Sequence, residues 1–431
     1  MLKVAIDIGT SEIKGVSFLV DAEKKALAGH SGVQLLNFAR VPSQGVRKGT
    51  IVHHLSAAQA VTAVIDELQV TAGSEIPSVY ATISGNHMKG MESVGVIPVR
   101  SFEVRPSDVV QVLESARMVI VPADREIVHT IPQEFRVDDQ DGFEDPVGIA
   151  GARLEARTYL ITGAASCART VVKCINATGR RVENLLSAAL CSSESVLSKE
   201  ERELGVILLD IGSGTTDLVG YYRGALRILT VLPVGGAHVT SDLAVGLRTP
   251  LIEAERLKKQ FGVASSSALE EERSIEVPSM GKRPSRLVPQ YVLADLIEPR
   301  LREVFQLLRK ELIKTGFIDT PLAGGIVITG GTAHLPGIVR VTEEEFGMPA
   351  RIGTPLGYES EPFNQPEFGA VVGMAELINN GLQDERVHGT ASPLYRRLLV
   401  SAKEGKWGSN NRFEYVNRLV AKVGGWLGRH F

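Results

Sequence analysis

A chain of 431 residues is too long for one compact core and implies at least two domains. Its formal net charge of -3, from 47 basic and 50 acidic residues, excludes nucleic-acid binding through the whole surface, so any basic function must be local. Cys167, Cys174 and Cys191 form no CxxC pair and read as reduced, packed thiols of a cytoplasmic chain, Asp7 interrupts the apolar run a signal peptide needs, and no uncharged apolar stretch reaches the roughly 18 residues of a membrane span.

Val4 to Ile8 reads as a short buried strand, Gly9 to Lys14 as a turn, and Val16 to Val20 as the returning strand of a hairpin. Ser56-Ala-Ala-Gln59 has capping-box spacing, and Val61, Val64, Ile65 and Leu68 give the helix after it one apolar face. His53 and His54 would point apart on a strand, and no Cys or carboxylate pattern completes a metal site, so both are read as loop residues. Val79 to Ser84 is a further strand. A run rich in strand formers follows, with Val94 to Val99, Arg117 to Val121 and Glu126 to Pro132 prominent, before Tyr159 to Gly163 resumes a buried strand. Residues of about 83 to 160 therefore look like an inserted small domain.

A helix through Val171 to Ile175 ends at Gly179, and Gly205-Val-Ile-Leu-Leu-Asp-Ile-Gly212 repeats the opening pattern of strand, Asp, Ile, Gly, a weak internal duplication. The strand Leu229 to Val234 leads into Gly235-Gly236. Thr249-Pro250 supplies an N-cap and a first-position proline for a helix running through Glu255 and Lys258 to Gly262. Residues 263 to 289 are polar and contain proline. From Tyr291 to Thr315, Leu296, Leu301, Val304, Phe305, Leu308 and Leu312 recur at helical spacing, with Pro299 expected to kink or reset the helix. The strand Gly325 to Thr329 runs into Gly330-Gly331, Phe368 to Ile378 reads as a small-residue helix, and Asp384 to Asn410 reads as a linker.

Two segments carry phosphate-binding character. In Asp7-Ile-Gly-Thr-Ser11 a buried strand ends at a carboxylate and turns through glycine into small hydroxyl residues, where backbone N–H groups can cradle phosphate. Asp210-Ile-Gly-Ser-Gly-Thr-Thr-Asp217 does the same with two glycines that admit close backbone approach. Such hairpins, facing each other, clamp a polyphosphate, and Asp7 and Asp210 at their bases can hold Mg²⁺ through water. The nucleotide-binding candidates are Gly9, Thr10, Ser11, Lys14, Gly212, Ser213, Gly214, Thr215, Thr216, Gly235, Gly236, Gly330 and Gly331, with Glu255 for ribose hydroxyls and Lys258 for phosphate. A helix-entry turn competes as the reading of Gly235-Gly236, a plain strand-to-helix turn as that of Gly330-Gly331, and a solvated charge pair as that of Glu255 and Lys258.

The ordered set Asp7-Ile-Gly-Thr-Ser, Asp210 to Asp217, Gly235-Gly236 with Ala254-Glu-Arg-Leu-Lys258, and Ile326-Val-Ile-Thr-Gly-Gly331 resembles the actin, Hsp70 and sugar-kinase superfamily, and Gly369-Ala-Val-Val-Gly373 resembles its second connecting helix. Tyr80-Ala-Thr-Ile-Ser-Gly-Asn, Ile131-Pro-Gln-Glu-Phe, Asp145-Pro-Val-Gly-Ile, Thr240-Ser-Asp-Leu-Ala, Glu276-Val-Pro-Ser and Ile297-Glu-Pro-Arg300 are similar to FtsA, the actin-like bacterial cell-division family. The resemblance implies an α/β fold of two lobes with ATP and Mg²⁺ in the cleft. It divides the chain into subdomain 1A (1–82 and 161–200, with the connecting helix 369–383), the inserted subdomain 1C (83–160), 2A (201–245 and 318–368) and 2B (246–317). It further implies self-assembly as actin-like filaments, a tubulin-like partner, FtsZ, on 2B, and other division proteins on the inserted subdomain. Lys282, Arg283 and Arg286 could face an acidic FtsZ tail, a solvated basic loop being the competing reading. A sugar or acyl kinase and a pilus-assembly actin homologue are the alternatives.

In actin-like relatives a Glu or Gln before the second phosphate turn positions the attacking water. Ala188 occupies that place here, while Glu183 and Glu194 nearby read as solvated surface charges, so ATP is expected to act as an assembly ligand hydrolysed slowly at most.

At the C-terminus, Phe413, Val416, Val420, Val423 and Leu427 follow a 3-4-3-4 spacing widened by Leu419 and Trp426, with Arg418, Lys422 and Arg429 together on the other side. This is the pattern of an interfacial helix over 411–431 that lies on anionic lipid, which the family resemblance implies is the cytoplasmic face of the inner membrane; a helix docked on its own domain is the competing reading.

Overall fold

The computed structural model describes residues 2–20, 33–269, 271, 273–281 and 283–380. The expectations for the linker, for the C-terminal helix and for Lys282 lie outside the described residues.

The first lobe opens with the antiparallel hairpin of β1 (Leu2–Ile8) and β2 (Glu12–Val20), extended by β3 (Val33–Pro42). Lys14, read as part of the turn, already belongs to β2, where it lies opposite Asp7. A small hairpin, β4 (Val46–Arg47) and β5 (Thr50–Ile51), precedes α1 (His54–Ala72), and β6 (Ser78–Ile83) returns parallel to β1. Val61, Val64, Ile65 and Leu68 bury the apolar face of α1. That helix begins before Ser56. His53 is its N-cap, accepting the Ser56 amide on Nδ1 at 3.3 Å, so an imidazole fills the place of the expected hydroxyl, and His53 and His54 start the helix rather than sit in a loop.

The chain then builds a module of β7 (Lys89–Pro98), α2 (Pro106–Arg117), β8 (Arg125–Val137), β9 (Gln140–Phe143) and β10 (Arg153–Ala164), with β10 antiparallel between β7 and β8. Arg117, expected to open a strand, instead ends α2, and Met118 and Ile120 after it are exposed. The overlooked signals were Pro106 at the first helical position and Asp108, whose carboxylate accepts the Arg105 N–H at 2.8 Å. The helix α3 (Ala165–Asn176) and β11 (Arg181–Ser187) complete the first lobe.

Two short helices, α4 (Ala188–Val196) and α5 (Lys199–Leu204), lead to β12 (Val206–Ile211), β13 (Thr216–Tyr222) and β14 (Ala225–Leu232). Then come α6 (Gly236–Gly246), α7 (Leu251–Phe261), the hairpin β15 (Ser274–Val277) and β16 (Arg286–Pro289), and α8 (Tyr291–Lys314), which runs unbroken through Pro299. Pro250 itself caps α7, one residue later than the Thr249 cap expected. The chain closes with β17 (Ile326–Thr329), α9 (Ile338–Phe346), β18 (Ala350–Ile352) and α10 (Gly369–Asn379).

The duplication is topological as well as sequential. The first sheet runs β11-β6-β1-β2-β3, and the larger sheet begins β18-β17-β12-β13-β14, the same order built from the second half of the chain. Both central hairpins are flanked by parallel strands, and their residues are buried on both faces because helices or the other lobe cover each side. One apolar core lies between the lobes around α4 and α10; a second packs α6, α7, α8 and α9 on the outer face of the second sheet; a third packs α1 and α3 on the outer face of the first. Where α10 crosses α4, a Cβ on Gly373 would fall 1.8 Å from the Cys191 carbonyl oxygen, so glycine is required for the approach.

Candidate functional site

The two Asp-Ile-Gly turns come face to face. Thr82 on β6 donates to Asp7 Oδ1 at 2.8 Å and accepts the Ile8 N–H at 3.0 Å, which fixes the carboxylate at the end of β1. The turns touch at Thr10 and Gly214, where a Cβ on the glycine would lie 2.5 Å from Thr10 Oγ1. Behind the second turn, Gly236 N–H donates to Gly212 O at 2.9 Å and Ala237 N–H to Ser213 O at 2.8 Å, so the start of α6 braces it. Gly330 adopts φ +83°, and its Cα passes so near Asp210 that a Cβ would meet Oδ1 at 2.3 Å. Gly331 has open space where a side chain would project.

Between them is a cleft of about 540 Å³. Its walls include Asp7, Gly9, Thr10, Ser11 and Lys14 from the first lobe, and Asp210, Gly212, Ser213, Gly214, Thr215, Gly236, Glu255, Lys258, Gly330 and Gly331 from the second. Thr216 and Gly235 are not on its walls. Thr216 is buried and donates to Val234 O at 2.8 Å, and Gly235 packs behind the turn, 2.5 Å from Gly212 O at its would-be Cβ, so both support the cradle without facing its contents. Ala188 also lines the cleft, at the start of α4, whereas Glu183, which faces Arg181 at 3.9 Å on β11, is not among the cleft walls. Glu194 is not a solvated charge. It is largely buried and paired with Arg202 at 3.0 Å.

Glu255 and Lys258 form one network rather than a solvated pair. Lys258 Nζ lies 2.7 Å from Glu255 Oε2, donates to Thr240 Oγ1 at 2.9 Å and to Gly236 O at 3.1 Å. Burial lowers the Lys258 pKa, against the pull of Glu255. For Glu255, burial acts upward but the Lys258 charge and hydrogen bonds outweigh it, and the net direction is down.

Sequence reasoning overlooked Asp217 as a site residue, although the motif contains it. The hairpin registers place Asp7 opposite Lys14 and Asp210 opposite Asp217, so the second lobe has a carboxylate where the first has an ammonium. Burial, opposed by the Ser192 hydrogen bond, and the nearby Asp7 charge raise Asp210 to about 6; burial and the charges of Asp210 and Asp7 push Asp217 well above the usual carboxylate range. Asp217 Oδ1 is buried with no hydrogen-bond partner. Asp7, Asp210 and Asp217 gather beside Lys14, and the mutual repulsion that adds to burial in raising Asp210 and Asp217 is what a hard divalent cation there would relieve. Among the described residues no group of three or more His, Cys, Asp or Glu side chains closes into a metal cage. Mg²⁺ keeps several waters and needs only one or two carboxylates, so Asp7 and Asp210 could hold its water shell. Arg40, Lys259, and His334 paired with Glu367 at 2.6 Å also reach the cleft; their positions follow from tertiary packing, and no local motif marks them.

Residues 207–373 match the family model described as cell division protein FtsA, and residues 85–162 match the model of the SHS2 domain inserted in FtsA. The cell division protein FtsA of Pseudomonas aeruginosa is 37% identical over 384 residues, covering 89% of each chain. The chain belongs to the FtsA family. The FtsA of Escherichia coli K12 is 34% identical over 438 residues, covering 100% of this chain and 98% of that one. Among solved structures, the PilM–PilN type IV pilus biogenesis complex has a TM-score of 0.60 at 18% identity, covering 86% of this chain and 97% of that one. MreB5 of Spiroplasma citri bound to ADP has a TM-score of 0.53 at 13% identity, covering 89% and 98%. These likenesses establish the actin-like fold, and FtsA membership sets aside the metabolic kinase and the pilus homologue.

Proposed function

We propose that this FtsA-family chain binds Mg·ATP between its two phosphate turns as an assembly ligand, forms actin-like filaments, and ties FtsZ filaments to the cytoplasmic membrane surface through its C-terminal segment. The facing turns, with three carboxylates at their base, are the observation that carries the nucleotide reading. Thr10, Ser11, Gly212 to Thr215, Lys14 and Lys258 would hold phosphates, Asp7 and Asp210 the metal's waters, and Glu255 the ribose hydroxyls. The metal supplies neutralisation of phosphate charge. Gly331→Trp projects into the cleft without a clash at its Cβ and should lower ATP affinity at least about tenfold by calorimetry, equivalent to about 1.4 kcal/mol. With Ala188 in the cleft, turnover should stay far below the enzyme median of about 10 per second. Unchanged ATP affinity in both Gly331→Trp and Asp210→Ala would overturn the cleft assignment, and fast turnover the switch reading.

In the FtsZ site proposed on 246–317, Arg283 and Arg286 are both exposed. Arg286 donates to Leu247 O and, at 3.3 Å, to Ser279 Oγ, holding the β15–β16 hairpin to the end of α6. Arg283 is exposed, beside exposed Met280 and Leu287. Arg283→Glu should weaken capture of an FtsZ tail peptide and flatten its salt dependence in a fluorescence titration; unaltered binding removes this loop from the interface.

A further inference from the structure

The inserted module is fastened to both lobes, and each fastening leads to a phosphate turn. On the first-lobe side the chain enters through Ser84, which lines the cleft, and Gly85 at φ +121°. The tip of the β4–β5 hairpin presses on this entry: a Cβ on Gly49 would meet Gly85 N at 3.0 Å, while Gly49 N–H donates to Thr10 Oγ1 at 3.0 Å. Arg125 ties the module's entry to its exit by donating to His87 O at 2.9 Å and Thr162 O at 3.1 Å.

On the second-lobe side, β7 meets β14 at one register pair, Lys89 opposite Thr230. Next to it, Leu229 N–H donates to the phenolic oxygen of Tyr159 at 2.8 Å in a buried contact. Gly90 makes room for that ring, since a Cβ there would fall 2.0 Å from Tyr159 Oη. The segment after β14 is locked to the second turn, with Val234 O accepting Thr216 Oγ1 at 2.8 Å and Gly236 N–H donating to Gly212 O at 2.9 Å.

In the nine-stranded sheet, the strands on either side of this junction pair over long registers, β7 with β10 and β14 with β13. The junction itself has one backbone register pair, the Tyr159 hydrogen bond, an ion pair of Arg227 with Glu92 at 3.5 Å, and apolar contacts that join Met88 and Tyr159 to the core around Leu226 and Leu229. Packed cores move as bodies rather than stretch, so a change in the angle between the lobes is passed to the module where backbone pairing is shortest and side chains carry the connection. We propose that the Tyr159–Leu229 latch couples occupancy of the cleft to the placement of the inserted module, making the module's outer surface an output controlled by nucleotide. The proposal rests on the nucleotide reading above.

Hydrogen–deuterium exchange of the full chain, with and without Mg·ATP, tests it alongside calorimetry. In the parent, Mg·ATP should change exchange in Leu226–Val231 and Lys89–Glu92 as well as in the phosphate turns. Tyr159→Phe keeps the ring and deletes the acceptor. It should speed exchange of the Leu229 amide about fivefold without nucleotide, the effect of losing one net hydrogen bond, and abolish the nucleotide-dependent change at the junction while calorimetric affinity for ATP persists. Gly90→Ala, which displaces the ring, should act in the same way. If ATP binds but protects only the turns, or if Tyr159→Phe retains the parent's junction response, the latch is overturned. If no ATP binds, the nucleotide reading falls and this inference with it.

Discussion

Single residues carry the electrostatic character of the molecule. Besides the cleft carboxylates, Glu376 on α10 stands out: burial, reinforced by the Glu194 charge and opposed by a Tyr358 hydrogen bond and Arg202, raises its pKa to about 8. A raised carboxylate pKa means the folded chain holds the proton more tightly than the unfolded one. Stability from this group is therefore fully present below the ordinary value of 4.5 and is lost as pH rises towards 8. Glu376→Gln should flatten that decline and stabilise the chain at pH 8 by an amount on the order of a few kcal/mol, read as urea midpoints at pH 5 and pH 8. A parallel pH dependence in variant and parent would assign the decline to other groups. None of this shows in the sequence, because Glu376 has the helical spacing of any exposed glutamate and acquires its character from burial in the fold and from Glu194, far earlier in the chain.

At the scale of elements, strands and helices with clear periodicity were legible. The opening hairpin, the helices at 251–261 and 291–314, and the strand before Gly330 follow their apolar patterns because each is buried on the face those patterns mark. At Arg117 the proline and acidic residue that start the helix outweigh the β-branched residues that follow it. The α4–α10 crossing was only partly legible: small residues announced close packing, but the partner helix is distant in sequence. Because Gly373 lies against the Cys191 carbonyl, Gly373→Ala should destabilise the chain by roughly 1 to 3 kcal/mol or more through overpacking, measurable by chemical denaturation. A loss below about 0.5 kcal/mol would mean the helices separate without penalty.

At the scale of the whole molecule, the proposed membrane attachment rests on the sequence pattern of 411–431, which lies outside the described residues. No helix among the described residues is long and apolar enough to cross a membrane. An interfacial anchor would gain roughly 1.5 to 3 kcal/mol per buried apolar side chain and about 1 kcal/mol per basic residue on anionic lipid. Trp426→Glu should therefore release the full chain from anionic vesicles at any salt concentration, whereas Arg418→Ala should weaken binding mainly at low ionic strength. Filament formation would multiply the effect by presenting many tails to one surface. Co-sedimentation that survives truncation after Asn410 would move the anchor elsewhere.

By itself, the sequence determined the features written in contiguous residues: the two Asp-Ile-Gly turns, their duplication, and the amphipathic pattern at the end. These follow from backbone geometry and periodicity, which act over a few residues. Tertiary structure alone decided which candidates face the cleft and which brace it, as with Thr216 and Gly235, and which charges meet. Asp217 became part of the site only when β12 and β13 paired it with Asp210, and Tyr159 found Leu229 only when the inserted module met the second lobe. Desolvation and Coulomb energies depend on neighbours in space, and folding brings those neighbours together from far apart along the chain.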